Sequence, residues 1–239
     1  PKIHNFWIKN NNINAVYEKK QLNKEDLKDL ISKIKKKEID GINVTVPFKN
    51  KVIKYLDKSS LEAEKTGSVN TIYKNNEYII GHNTDVAGFE LGLRHSKINV
   101  VDKSIFIIGA GGVVPSITYS LLNMGCKKIM LTNRTKEKTE EIKKIFKEIK
   151  IIKWGETPNF DIVINATSVG LKGDTLNLNF DVKNKIFYDV IYNPKETEFL
   201  KNAKIKGNKI ENGKLMFIYQ ANQSFSIWNN VIPKIDEEV

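Results

Sequence analysis

Apolar and polar positions along the chain follow two rhythms. Over residues 1 to about 86, helical and strand spacing alternate. Lys2–Asn10 reads as a helix and residues 14–17 as a strand. Across residues 24–37, Leu27, Leu30, Ile31 and Ile34 repeat on one helical face, with Asn23 placed to cap it. Residues 41–46 alternate and are rich in β-branched side chains, the mark of a strand. Pro47 then suits the first turn of a helix running to Leu56. Residues 69–83 predict a hairpin turning at Asn75 and Asn76, and residues 86–93 a further helix.

From about residue 87 the rhythm changes. Ser104–Ile108 is a short apolar strand, followed by a glycine-rich turn and a helix to Met124. Lys128–Thr132 is the next strand and 135–147 a charged helix, with short strands at about 150–153, 161–164 and 186–191. Residues 213–230 read as a closing helix. Strands alternating with helices predict a parallel sheet covered on both faces. The expected architecture is therefore α/β, with two domains facing a cleft. A Rossmann-like domain spans residues 87–212, and a smaller α/β domain takes residues 1–86 with 213–239.

The strand–turn–helix order gives the glycines meaning. In Gly109-Ala110-Gly111-Gly112-Val113, glycine permits positive φ and close approach of a pyrophosphate, and the helix that follows points its N–H groups at the phosphates. Pro115 fits a first helical turn, which needs no N–H donor. The next strand ends in Thr132-Asn133-Arg134-Thr135, without the acidic residue that would hold a ribose 2′-hydroxyl. Arg134, with Lys136 and Lys138 behind it, suits a 2′-phosphate instead, so NADP is the expected cofactor.

Composition removes several other readings. The net charge of +11 raises nucleic-acid binding, but the lysines are spread along the chain and arginine, the main base reader, is scarce. No apolar stretch approaches the roughly 20 residues of a membrane span. Cys126 is the single cysteine and the three histidines are scattered, so neither a disulfide nor a metal site is expected. Small-molecule chemistry in the cytoplasm is the expectation, with no nucleic-acid or membrane partner. His82, Cys126, Trp154, Phe225 and Trp228 read as packing or surface residues.

Four other segments place short polar groups at strand ends or helix starts, where ligands reach α/β proteins. They are Asn43-Val44-Thr45-Val46-Pro47-Phe48-Lys49, Gly67-Ser68-Val69-Asn70-Thr71, Gly81-His82-Asn83-Thr84-Asp85 and Tyr219-Gln220-Ala221. On chemistry alone, Lys49 reads equally as an acid/base group or a surface lysine, and Asp85 as its partner or as the cap of the following helix. Taken in order with Gly109-Ala110-Gly111-Gly112, Asn133-Arg134-Thr135, Asn165-Ala166-Thr167-Ser168 and Tyr192-Asn193-Pro194, these segments closely resemble the shikimate dehydrogenase family over nearly the whole chain.

The resemblance implies NADP-dependent, reversible reduction of 3-dehydroshikimate to shikimate in aromatic amino acid biosynthesis, by a monomer or homodimer. It implies Lys49 and Asp85 as the catalytic pair, and Thr45, Asn70, Tyr192 and Gln220 as substrate-binding residues. Gly109 to Val113 match the phosphate loop; Asn133, Arg134, Thr135 and Lys138 match the 2′-phosphate site; Thr167, Val190 and Gly213 line the rest of the cofactor path. The alternatives are a quinate-type dehydrogenase and a non-catalytic NADP-binding relative.

Two departures from the family pattern carry expectations of their own. Members of the family have a strand ending in Ser-x-Ser-Pro before the point that Pro1 matches, which suggests a truncated sequence with weak substrate binding and a destabilised first domain. Lys214-Leu215 replaces a usual Leu-Gly before Met216 and is expected to crowd the nicotinamide end of the cofactor path.

Overall fold

The computed structural model of the chain describes residues 1–236. The chain forms two compact units, Pro1–Gly88 with the segment from Phe217 onward, and Phe89–Met216. The divisions fall inside two helices, α4 (Thr84–His95) and α8 (Lys214–Asn229).

The second unit holds β5 (Ser104–Ile108), α5 (Val114–Asn123), β6 (Lys128–Thr132), α6 (Lys136–Ile145), β7 (Lys150–Ile151), β8 (Ile162–Asn165), β9 (Ile186–Asp189), α7 (Glu198–Ile205) and β10 (Lys209–Asn212). The six strands are all parallel, in the order β10-β9-β8-β5-β6-β7. Counted from β5, this is the 3-2-1-4-5-6 order of the Rossmann fold, reversing direction between β5 and β8. Ile105 to Ile108 are fully buried; Ile105 and Ile107 pack into one core cluster while Phe106 and Ile108 pack into another. A central parallel strand buries both faces and so reads as a continuous apolar run, each such side chain contributing about 1.5–3 kcal/mol. Thr197 caps α7, its hydroxyl accepting from Leu200 N.

The first unit holds α1 (Lys2–Asn10), α2 (Leu27–Lys35), β1 (Gly41–Asn43), β2 (Lys58–Ser59), α3 (Leu61–Thr66), β3 (Thr71–Asn75), β4 (Tyr78–His82) and the start of α4 (Thr84–His95). The last helix, α8 (Lys214–Asn229), supplies most of its length to this unit. The sheet order is β1-β3-β4-β2, with β3 and β4 an antiparallel hairpin whose register pairs Asn75 with Tyr78. Gly41 is where β1 meets α8: a Cβ there would lie 2.4 Å from the Trp228 ring.

Three expectations are corrected. Residues 14–17 form no strand; Tyr17 instead exchanges backbone hydrogen bonds with the Asn5 side chain, and Val16 is 72% exposed. The helix expected over 24–37 covers only Leu27–Lys35, with Asp26 in place of Asn23 at its N-cap position. No side chain caps it, because the Asp26 carboxylate is turned back to accept from Asn23 N, ahead of the helix, at 2.8 Å. Pro47 opens turns and one 3₁₀ segment, Ile53–Tyr55, instead of an α-helix. The Lys49 carbonyl there accepts from Val69 N at 2.8 Å, so it is diverted from closing a helical turn. Among the described residues, no helix is long and apolar enough to cross a membrane.

Candidate active site

In the second unit the turn after β5 sits where the strand order reverses. Gly109 has φ +111°, and a Cβ there would lie 2.8 Å from the Ala166 carbonyl oxygen. Glycine is therefore dictated at 109 by the fold itself. Gly111 is different: a Cβ there would come no nearer than 3.9 Å to any neighbour, the Ala166 carbonyl oxygen. Gly111 and Gly112 are exposed, while Ala110 and Val113 pack against the core. No side chain caps the start of α5, and Pro115 occupies its first turn. Open space beside uncapped N–H groups at the positive end of a helix dipole suits a pyrophosphate.

The ends of neighbouring strands complete this edge. Beyond β6, Asn133 Nδ2 donates to the Thr135 carbonyl at 2.8 Å, and Arg134, Thr135 and Lys138 are exposed. Glu137 is the acidic residue in the first turn of α6. Beyond β8, Thr167 donates its hydroxyl proton to Asn165 Oδ1 at 2.7 Å and accepts from Val169 N at 3.1 Å. Asn165 Nδ2 in turn donates to Asp189, at the end of β9. Asp189 is fully buried and also receives the Thr197 hydroxyl at 2.6 Å and Ile191 N at 3.0 Å. Burial raises its pKa above the usual carboxylate range, against the pull of those donors. Val190 follows, and its carbonyl faces Gly213, where a Cβ would lie 2.1 Å from that oxygen. Tyr192 is exposed on the same segment. Leu215 is half-buried, in the first turn of α8.

In the first unit, Lys49 Nζ lies 2.5 Å from Asp85 Oδ2, with side chains only 14% and 8% exposed. A pair so far removed from water is only weakly screened by solvent. Asp85 sits in the first turn of α4, and the capping oxygen is that of Asn83, whose Oδ1 accepts from Asp85 N at 3.1 Å. The Asp85 carboxylate is thereby left to other partners. Its Oδ1 accepts from Asn70 Nδ2 at 3.0 Å. Asn70 cannot be flipped, because its Oδ1 accepts from Thr84 N, a group that only donates, at 2.8 Å.

Hydrogen bonds thus join Lys49, Asp85 and Asn70 into one group. Thr45, exposed beyond β1, and Gln220, whose Nε2 donates to the Phe217 carbonyl on α8, are not bonded to that group. The supporting side chains Asn43, Thr71, Thr84 and Ser224 in the first unit, and Asp189 in the second, were not singled out individually in the sequence. The one available signal was that Asn43, Thr71 and Thr84 lie inside the quoted polar segments.

A Rossmann-like unit together with a desolvated lysine–carboxylate pair on an α/β unit defines a dinucleotide-dependent oxidoreductase class. Residues 1–72 match the shikimate dehydrogenase substrate binding domain, and residues 91–172 match the family described as shikimate / quinate 5-dehydrogenase. Among curated relatives, the shikimate dehydrogenase (NADP(+)) of Pelagibacter ubique is 54% identical over 241 residues, covering 100% of this chain and 91% of the relative. The crystal structure of shikimate dehydrogenase from Aquifex aeolicus superposes with a TM-score of 0.89 at 36% identity, over 98% of this chain and 88% of the other. That of the Thermus thermophilus enzyme, solved in complex with NADP(H) and shikimate, gives a TM-score of 0.89 at 27% identity over 98% and 89%. The chain belongs to the shikimate dehydrogenase family.

Proposed function

We propose that this chain catalyses the reversible NADP-dependent reduction of 3-dehydroshikimate to shikimate, with Lys49 and Asp85 as its catalytic pair. The observation that carries the reading is the Lys49 ammonium held 2.5 Å from a carboxylate that Asn70 also orients. NADPH, when bound, supplies the hydride that reduces the ketone carbon. As charge builds on the ketone oxygen, Lys49 donates a proton or hydrogen bond to it. Asp85 keeps the ammonium aimed, and accepts a hydrogen bond from the hydroxyl that forms. Asn70 spends one amide hydrogen on Asp85 and keeps the other for a ring hydroxyl. Thr45, Gln220 and Tyr192 hold the remaining ring substituents.

Gly109, Ala110, Gly111, Gly112 and Val113 hold the pyrophosphate. Asn133, Arg134, Thr135 and Lys138 hold the 2′-phosphate, and Thr167, Val190 and Gly213 line the rest of the cofactor site. The same reading makes the chain a cytoplasmic enzyme, monomeric or homodimeric, whose partner is the ring substrate and neither nucleic acid nor membrane. A quinate activity is the second reading, because the family matched over residues 91–172 is described by both substrates.

The test is NADPH oxidation with 3-dehydroshikimate, and the reverse reaction with shikimate and quinate in parallel. Lys49→Ala is expected to lower kcat by about 10²–10⁴-fold. A folded wild-type chain that turns over neither ring acid, or a Lys49→Ala variant as active as wild type, would overturn the reading.

A further inference from the structure

Ser224 lies on α8, is completely buried, and its oxygen is met by groups from three other elements. Alanine would fill that space nearly as well, so the hydroxyl needs a polar reason. Asn43 Nδ2 reaches Ser224 Oγ at 3.0 Å, Thr71 Oγ1 at 2.8 Å and Thr84 Oγ1 at 3.2 Å, while Ser224 Oγ lies 3.0 Å from the Gln220 carbonyl.

The protons in this cluster can be assigned from the groups that act in one direction only. A carbonyl only accepts, so the Ser224 proton goes to Gln220 O. Asn43 Nδ2 donates to the Asn70 carbonyl at 3.1 Å, so Asn43 Oδ1 must face Tyr17, whose phenol donates to it at 2.8 Å. Ser224 Oγ is then an acceptor toward Asn43 and Thr71, which fills its two lone pairs. Asn70 Oδ1 takes Thr84 N at 2.8 Å and the Thr84 hydroxyl at 3.1 Å, which fills both its lone pairs. Thr71 lies 3.1 Å from the same oxygen but 2.8 Å from Ser224, and its proton goes to Ser224.

We propose that Ser224 is a positioning residue for the reaction: it takes the Thr71 proton that would otherwise crowd Asn70 Oδ1, keeping Asn70 aligned on Asp85, and it ties down the turn of α8 that carries Gln220. The proposal rests on the catalytic roles given above to Lys49, Asp85 and Asn70. Without the Ser224 oxygen, Thr71 becomes a third donor at Asn70 Oδ1. The amide then shifts, and its bond to Asp85 shifts with it.

The experiment compares steady-state kinetics of wild type, Ser224→Ala and Ser120→Ala, with thermal unfolding of each. Ser120 is also completely buried, on α5, with its hydroxyl near the Met124 sulfur. Ser224→Ala is expected to lower kcat/KM for 3-dehydroshikimate by about tenfold, with KM for NADPH unchanged. Ser120→Ala should leave kcat/KM for 3-dehydroshikimate within about twofold of wild type. Equal losses in both variants, or an active wild type with an unchanged Ser224→Ala, would overturn the positioning role and leave the catalytic reading standing. An inactive wild type removes both. Thr71→Val, which has the same shape, removes the proton that would crowd Asn70 Oδ1, so the double variant Ser224→Ala/Thr71→Val is expected to recover most of the lost kcat/KM. If Ser224→Ala alone does not fold, the double variant takes its place, and a folded double variant that still loses about tenfold would overturn the crowding.

Discussion

Two glycine-to-alanine substitutions separate what the cofactor unit needs for folding from what it needs for binding. At Gly213 an added Cβ would lie 2.1 Å from Val190 O, 2.6 Å from Val190 C and 3.1 Å from Val190 Cα. The nearest approach is more than an ångström inside ordinary contact, and every atom met is backbone. Val190 cannot yield freely, since its N–H donates to Asn165 O at 3.0 Å and Gly213 N donates to Ile191 O at 3.3 Å. Overpacking of this kind costs about 1–3 kcal/mol. At Gly111 the nearest atom would be 3.9 Å away. Alanine there carries no steric penalty in the folded chain and reduces the entropy of the unfolded one, so stability should hold or rise by about 0.4–1 kcal/mol.

The order reverses for cofactor binding. A methyl at 111 stands where a pyrophosphate must approach the backbone, and NADPH affinity is expected to fall about tenfold or more, equivalent to about 1.4 kcal/mol. Urea unfolding measures the first quantity and titration of NADPH fluorescence the second. A Gly111→Ala chain that binds NADPH like wild type would refute the phosphate-loop assignment. A Gly213→Ala chain of undiminished stability would refute the packing argument.

Arg134→Ala is expected to reduce the preference for NADPH over NADH, measured as the ratio of kcat/KM values, by about 10–100-fold, the worth of charge-assisted hydrogen bonds to a phosphate; an unchanged ratio would remove Arg134 from the 2′-phosphate site. His4 is buried, stacked at 4.3 Å on Tyr17, and burial holds its pKa down from 6.5 to about 4. The unfolded chain therefore takes up this proton first, and stability is lost as pH falls from 6.5 toward 4, by about 3 kcal/mol in all. His4→Phe should flatten that part of the stability–pH curve in urea unfolding, and a curve as steep as wild type would show that His4 does not set it.

The elements most legible in the sequence are those whose side chains face apolar surroundings on both sides. β5 and β6 have the residue bounds that the apolar runs predict, because burial on two faces leaves little choice of residue. Residues 14–17 and 47–56 misled because their fate depends on distant partners: the Asn5 amide for Tyr17, and Val69 N for the Lys49 carbonyl. No periodicity records such a partner. α3 and α7 escaped notice because each is short, although both carry ordinary capping side chains, Ser60 and Thr197. At the start of α4, Asn83, Thr84 and Asp85 are all plausible caps by residue type. The sequence therefore could not say that Asn83 caps the helix and frees Asp85 for Lys49.

The same limit explains why the residues proposed to touch ligand could be named from the sequence while those that aim them could not. A ligand-touching residue must supply a particular group at a particular place, so it leaves a recognisable segment such as Asn43 to Lys49. An aiming residue needs only to complete a hydrogen-bond circuit, and any element within reach can supply it. Asn43 and Ser224 are 181 positions apart and still share one hydrogen bond, in a cluster that leads from Asn43 through Asn70 to Asp85. In a buried circuit every donor has one best acceptor, so removing one oxygen redirects the protons of its neighbours. The orientation of Asp85 is thus set jointly by β1, β3, α4 and α8, and a substitution in any of them reaches the Lys49–Asp85 pair without touching either residue.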